Sequence, residues 1–229
     1  SNSVKKVLDK IKTISKNKDK YEGFYNEFGR LLKEGVYQEF EHKEALTELL
    51  RFKSTKEDGY VSLQDYLDRM GSDQESIYYI TGTNESALRE SPLLEMYKKK
   101  DIEVLILDDE IDEIIMPSIP TFKEKSLKSV NRSGAADELS DEDDKDKKDE
   151  LKPLIKKVKS VLGDKVKDVK SSSRLSDSPS CIVADENDPT AQMQEIMRAT
   201  GQVGMPEIKP ILEINPCLLY TSPSPRDER

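Results

Sequence analysis

The sequence predicts a mixed α+β and α/β fold, in which a helical layer and a βαβ layer are followed by a smaller α+β unit. Three observations predict it. Apolar residues recur at helical spacing from Val4 to Leu50; between Ile77 and Ile115 they gather into short unbroken runs separated by amphipathic stretches; beyond a charged run, another helical face and several more apolar runs follow.

In the first stretch Val4, Val7, Leu8, Ile11 and Ile14, then Phe24, Phe28, Leu31 and Leu32, then Leu46, Leu49 and Leu50 mark one face each. Helices are expected near 3–16, 20–33 and 42–50, with Gly23, Gly29 and Gly35 as punctuation and Phe24, Tyr25 and Phe28 as core. Ile77 to Thr81 then reads as a buried strand. Ser91-Pro92 opens a helix, the serine capping free amides and the proline preset for the first turn. Leu93, Leu94 and Tyr97 face inward, Lys98, Lys99 and Lys100 suit the negative helix end, and 102–107 forms the next buried strand. Strand, helix and strand make a βαβ unit, which calls for parallel pairing and a right-handed crossover.

From Asp137 to Glu150 charges of both signs surround a single apolar residue, Leu139, so 137–150 reads as a solvated connector between two packing units. Leu154, Ile155, Val158, Val161 and Leu162 form a helical face closed by Gly163. Strands are expected over 166–172, 180–184 and 208–214, with one more helix at 190–200. The boundaries are then 1–136, a linker 137–150, an incomplete second unit 151–216 and a tail 217–229 without helix or strand period.

Composition narrows the partners. With 36% charged and 34% hydrophobic residues and no Trp, 229 residues can bury moderate cores beneath solvated helical faces. Against 37 Lys and Arg stand 46 Asp and Glu, and a formal charge of −9 opposes attraction to a nucleic-acid backbone. No apolar run approaches the roughly 20 residues of a membrane span, so neither nucleic acid nor a membrane is an expected partner. Two cysteines, Cys181 and Cys217, cannot build a disulfide framework and fit a reducing, cytoplasmic setting.

Catalytic chemistry finds little support. His42, the only histidine, sits among charged residues and reads as a surface imidazole; with Cys181 and Cys217 it shows no metal-ligand spacing. Asp108-Asp109-Glu110 and the acidic run from Asp141 lack the Gly turn of a calcium loop. The turn Thr81-Gly82-Thr83-Asn84-Glu85-Ser86 leaves a strand and enters a helix, where free amides could hold a phosphate. A plain βα connection competes with this nucleotide-module reading. At Met193, Ile196 and Met197, spaced i, i+3 and i+4 in a helix led by Asp188-Pro189 and closed by Gly201, two adaptable thioethers share a face with a branched aliphatic. Spacing alone suits a core face as well as a binding one.

Three linked motifs carry a resemblance: Leu49-Leu50-Arg51-Phe52-Lys53-Ser54-Thr55, then Val61-Ser62-Leu63-Gln64-Asp65-Tyr66 with Arg69-Met70, then Ile77-Tyr78-Tyr79-Ile80-Thr81. Glu90-Ser91-Pro92, Glu103-Val104-Leu105, Ile111-Asp112-Glu113, Arg174-Leu175-Ser176-Asp177-Ser178-Pro179 and Glu213-Ile214-Asn215-Pro216 continue it. The chain resembles the heat-shock protein 90 chaperones, in their bacterial high-temperature protein G branch. The resemblance implies the C-terminal part of the middle domain (1–136) and the start of the C-terminal domain (151–216) of an ATP-dependent, homodimeric stress-response chaperone. It implies that ATP and magnesium are bound, and ATP hydrolysed, by parts of the parent outside this chain, so that no catalytic residue and no cofactor fall here. Ser1-Asn2-Ser3 reads as the front of a fragment, and the tail Cys217 to Arg229 resembles a translated sequencing adaptor standing where the family closes its dimer. A largely monomeric fragment is expected. For partly unfolded client proteins, the resemblance assigns contact to Met193, Ile196 and Met197, and less directly to Ile114 and Met116, where relatives often carry an aromatic at the position of Ile114. For Ile111, Ile114 and Ile115, packing against a sheet competes at two of the three.

Overall fold

Helix α1, Asn2–Ile14, turns Leu8, Ile11 and Ile14 toward the core and leaves Val4 and Val7 exposed. The computed structural model describes residues 2–139, 151–201, 208–215 and 218. Asn17 caps α2, Lys18–Gln38, by accepting from Lys20 N at 3.0 Å. This helix runs past the expected end because its buried stripe, Tyr21, Tyr25, Leu32 and Val36, continues at helical spacing beyond Leu32. The three glycines therefore lie within it, and at Gly35 the close approach of Leu46 explains the missing side chain, since a Cβ would meet Leu46 Cδ1 at 3.2 Å. Core placement holds for Tyr25, whereas Phe24 is half-buried and Phe28 and Leu31 are exposed. They fall roughly one helical step, about 100°, round from the buried stripe. A single 3-10 turn, Phe40–His42, leads into α3, Lys43–Leu49, and the Tyr21 hydroxyl donates to Leu49 O at 2.6 Å.

A five-stranded sheet lies beyond these helices: β1 Lys53–Ser54, β2 Ser76–Thr81, β3 Val104–Leu107, β4 Thr121–Phe122 and β5 Lys125–Ser129, in the order β1-β3-β2-β5-β4. The expected parallel pair is present, with Tyr78 opposite Val104 and Thr81 opposite Leu107. Every residue of β2 and β3 is buried, as unbroken apolar runs require. Helix α4, Leu63–Arg69, begins at a capping box between Ser62 and Asp65. Tyr66 of α4 ties the strand starts together: its hydroxyl donates to Glu103 O at 2.6 Å and accepts from Tyr78 N at 3.2 Å. Between β2 and β3 come α5, Glu85–Arg89, a 3-10 turn at Pro92–Leu94 whose Leu93 amide is capped by Ser91, and α6, Glu95–Lys99. After β3, α7 spans Glu110–Ile115.

Past a short turn at Asp137–Leu139, residues 140–150 of the expected linker lie outside the described residues, as does the tail apart from Leu218. Helix α8, Lys152–Leu162, stops at Gly163, whose φ of 52° belongs to the left-handed region. Three shorter strands than expected follow: β6 Asp168–Ser171, β7 Ser180–Val183 and β8 Ile211–Ile214, in the order β6-β8-β7, with β8 parallel to β6 and antiparallel to β7. Helix α9, Ala191–Ala199, connects β7 to the stretch before β8.

The chain divides into two compact units, Ser1–Leu88 with Glu103–Lys128, and Arg89–Ile102 with Ser129–Arg229. The second unit contains a hook: the Glu95 carboxylate accepts the amides of Ser176, Asp177 and Ser178 at 2.7, 2.9 and 3.1 Å, and Met96 N donates to Arg174 O at 3.1 Å. Burial disfavours the Glu95 charge, yet the Ser178 hydroxyl and those amides outweigh it and hold the carboxyl below its usual range.

Candidate functional site

Thr190 fixes the start of α9, accepting from Met193 N at 3.1 Å, and Gly201, at φ 81°, follows its end. Met193, Ile196 and Met197 share one face, and each is half-buried. None of the nine residues of α9 is buried, so among the described residues its apolar stripe is not sealed into a core. Thioethers on such a face can reshape around different apolar partners, which is what a surface serving many sequences needs.

Helix α7 in the first unit differs. Ile111, Ile115 and Met116 are buried, and Ile114 is 36% exposed. Packing therefore takes Ile111 and Ile115, leaving Ile114 as the one outward isoleucine, while Met116, at 2% exposure, belongs to the core cluster. A buried ion pair also anchors α7: Lys33 Nζ of α2 lies 2.8 Å from Asp112 Oδ1. Burial of Asp112 outweighs the attraction of Lys33 and raises its carboxyl to about 6. Of the five residues assigned by resemblance, the structure brings Met193, Ile196 and Met197 together on one helix and places Ile114 and Met116 in the other unit.

The turn 81–86 is a plain βα connection. Gly82 N donates to Leu107 O at 3.1 Å, the Asn84 side chain accepts from Ala87 N at 3.0 Å, and Glu85 lies 2.8 Å from Lys53. The helix that follows is only five residues long and carries an acidic residue, Glu85, in its first turn, which disfavours an anion there. The glycine has a packing reason, because a Cβ at position 82 would sit 2.6 Å from Leu88 Cδ2. His42 is half-buried, with Nε2 4.0 Å from Glu41. Burial first, then the charge of Glu213, pushes the Cys181 thiol up to about 12, which keeps it protonated and unreactive.

Arg174 and Glu213 stand in two of the resembling motifs, but sequence alone assigns neither a role. Arg174, 1% exposed, donates from Nε to Glu213 Oε2 at 2.9 Å and from Nη2 to Arg132 O at 2.8 Å. A glutamate in the apolar run Ile211-Leu212-Glu213-Ile214 was the available signal, since a charge on a buried strand needs a partner.

Among the described residues no helix is long and apolar enough to cross a membrane. The family model described as Hsp90 protein matches residues 1–218. The chain is 53% identical over 222 residues to the chaperone protein HtpG of Treponema denticola, covering 93% of this chain and 35% of that protein. Against the proteins of the same name from Aliarcobacter butzleri and Borreliella burgdorferi, identity is 52% and 48%, over 93% and 94% of this chain and 34% and 35% of theirs. The chain spans about a third of the length of the curated relatives it matches. The motifs, the α+β fold and this likeness across nearly the whole chain place it in one family: it belongs to the Hsp90 proteins, in their bacterial HtpG branch.

Proposed function

We propose that this chain supplies client-holding surface to an ATP-dependent chaperone, with α9 as the principal contact and Ile114 of α7 as a second. The observation that carries the reading is the unburied face of Met193, Ile196 and Met197. Partly unfolded clients expose short apolar segments of many sequences, and shallow, adaptable contact suits them better than one shaped pocket. In the parent, ATP and magnesium would be handled by other parts of a homodimer in the cytoplasm, and this region would respond to that cycle without performing chemistry. Residues 1–136 would be middle domain and 151–216 the start of the C-terminal domain.

The test is a titration of isotopically labelled chain with a reduced, carboxymethylated, partly unfolded protein, followed by NMR. Broadening should centre on 190–200 and on Ile114, and the double variant Met193→Ser/Met197→Ser should weaken it by roughly tenfold, as loss of two apolar contacts implies. A well-folded chain whose α9 signals ignore the client would overturn the reading.

A further inference from the structure

Helix α9 has no buried residue and only nine residues, and a helix that short does not persist on its own propensity. Its attachments must therefore order it. Arg132 lies beside the end of β7, where Ala184 N donates to Asn131 O at 2.9 Å and Ser133 N donates to Ala184 O at 2.8 Å. From there its Nη1 donates to three carbonyl oxygens of the lead-in to α9: Asp185 at 3.1 Å, Glu186 at 2.9 Å and Asp188 at 2.5 Å. One guanidinium nitrogen carries two hydrogens, so three acceptors must converge and share them. The loop is thereby curled round a cation.

A second cation closes the other side. Lys167 Nζ lies 2.5 Å from the Asp185 carboxylate and 2.7 Å from that of Asp188. Asp185-Glu186-Asn187-Asp188 thus offers three carbonyls and two carboxylates, and side chains from two other stretches of the chain fill them. Arg132 is itself fixed from behind, because Arg174 donates to its carbonyl and to that of Val130 while pairing with Glu213 of β8. A continuous path runs from the buried pair, through the backbone of Arg132, to its guanidinium and the loop. Pro189 and the Thr190 cap then begin the helix.

We propose that Arg132 is the positioning residue of the α9 surface, with Lys167 as a second clasp: together they fix the lead-in so that Met193, Ile196 and Met197 present one ordered face. The proposal rests on the client-holding reading of α9. An ordered helix spares the encounter the cost of fixing it, and charge-assisted hydrogen bonds are strong enough to supply that order.

The experiment measures hydrogen exchange by mass spectrometry, and affinity for the same carboxymethylated protein, on the 229-residue chain. Arg132→Ala should speed exchange across 190–201 and weaken client binding, each by roughly tenfold, while β6, β7 and β8 keep their protection. Arg132→Lys should restore part of both, since an ammonium also has several donors. Unchanged exchange in α9 in a folded Arg132→Ala chain overturns the proposal. Should Arg132→Ala lose protection in the sheet, Lys167→Met decides instead, because that side chain is solvent-facing: faster exchange in α9 supports the clasp and unchanged exchange refutes it. Met193→Ser/Met197→Ser separates the two ideas, for a variant that binds client normally sinks the client reading and leaves the exchange result to judge Arg132 alone.

Discussion

Lys33 and Asp112 show how one charge pair can be both necessary and costly. Both side chains are buried between α2 and α7, and at Asp112 the attraction of Lys33 only partly offsets the cost of burial. Replacing Lys33 with Met would leave a carboxyl in an apolar site beside Asp109, and we expect a loss of about 3 kcal/mol near pH 7, read by urea denaturation. The pH dependence has a definite sign. The Asp112 carboxyl titrates near 6 in the folded chain, above the roughly 3.9 of an unfolded one, so its contribution to stability is present below the unfolded value and is lost as pH rises through about 6. A carboxyl carbon NMR titration should give a midpoint close to 6, whereas a midpoint near the ordinary value would show that Lys33 prevails over burial. Glu95 has the opposite sign: its carboxyl is held below the unfolded value, so the stability it contributes is present above that value and lost as pH falls through the folded one. Neither environment was legible in the sequence, because nothing local to Asp112 announces Lys33 and nothing near Glu95 announces residues 176–178.

Among elements, α2 separates what spacing can tell from what it cannot. The helix was legible from its apolar repeat, but its length and inward side were not, since the stripe of Phe24, Phe28 and Leu31 looks as apolar as the stripe through Tyr21 and Tyr25. Its glycines give a paired test. At Gly23 a Cβ would meet nothing within 4 Å, so Gly23→Ala should raise stability by about 0.5 to 1 kcal/mol through helix propensity alone. At Gly29 a Cβ would lie 2.8 Å from the buried Tyr25 ring, and Gly29→Ala should lower stability by roughly 1 to 2 kcal/mol despite the same propensity gain. Equal effects in denaturation would show that Tyr25 moves aside freely. The strands were legible because β2 and β3 are unbroken apolar runs, and their parallel pairing followed from the helical segment between them. The face of α9 was legible from three residues at i, i+3 and i+4. Its clasp was not, for Arg132 falls outside any expected element and Lys167 is a polar position of an expected strand, and only the fold brings them to one loop.

On the scale of the whole molecule, the two units are threaded through one another in sequence. The connection between the hydrogen-bonded strands β2 and β3 passes through Arg89–Ile102, a segment of the second unit. Cutting the chain after Lys128 therefore removes the partners of a segment it retains: Glu95 loses the amides of 176–178, and Met96 loses the carbonyl of Arg174. We expect such a piece to melt earlier than the full chain and to bind an apolar dye more strongly; identical melting would show that the hook contributes little. The hook also sets an order of events at the ribosome. Glu95 is made 83 residues before Ser178, which at about 5 to 20 residues per second is a delay of roughly 4 to 17 s. Throughout that interval the newborn chain carries an unanswered carboxylate in the early-made segment of its second unit, and the stretch around it is open to whatever guards nascent polypeptides until the later strands emerge.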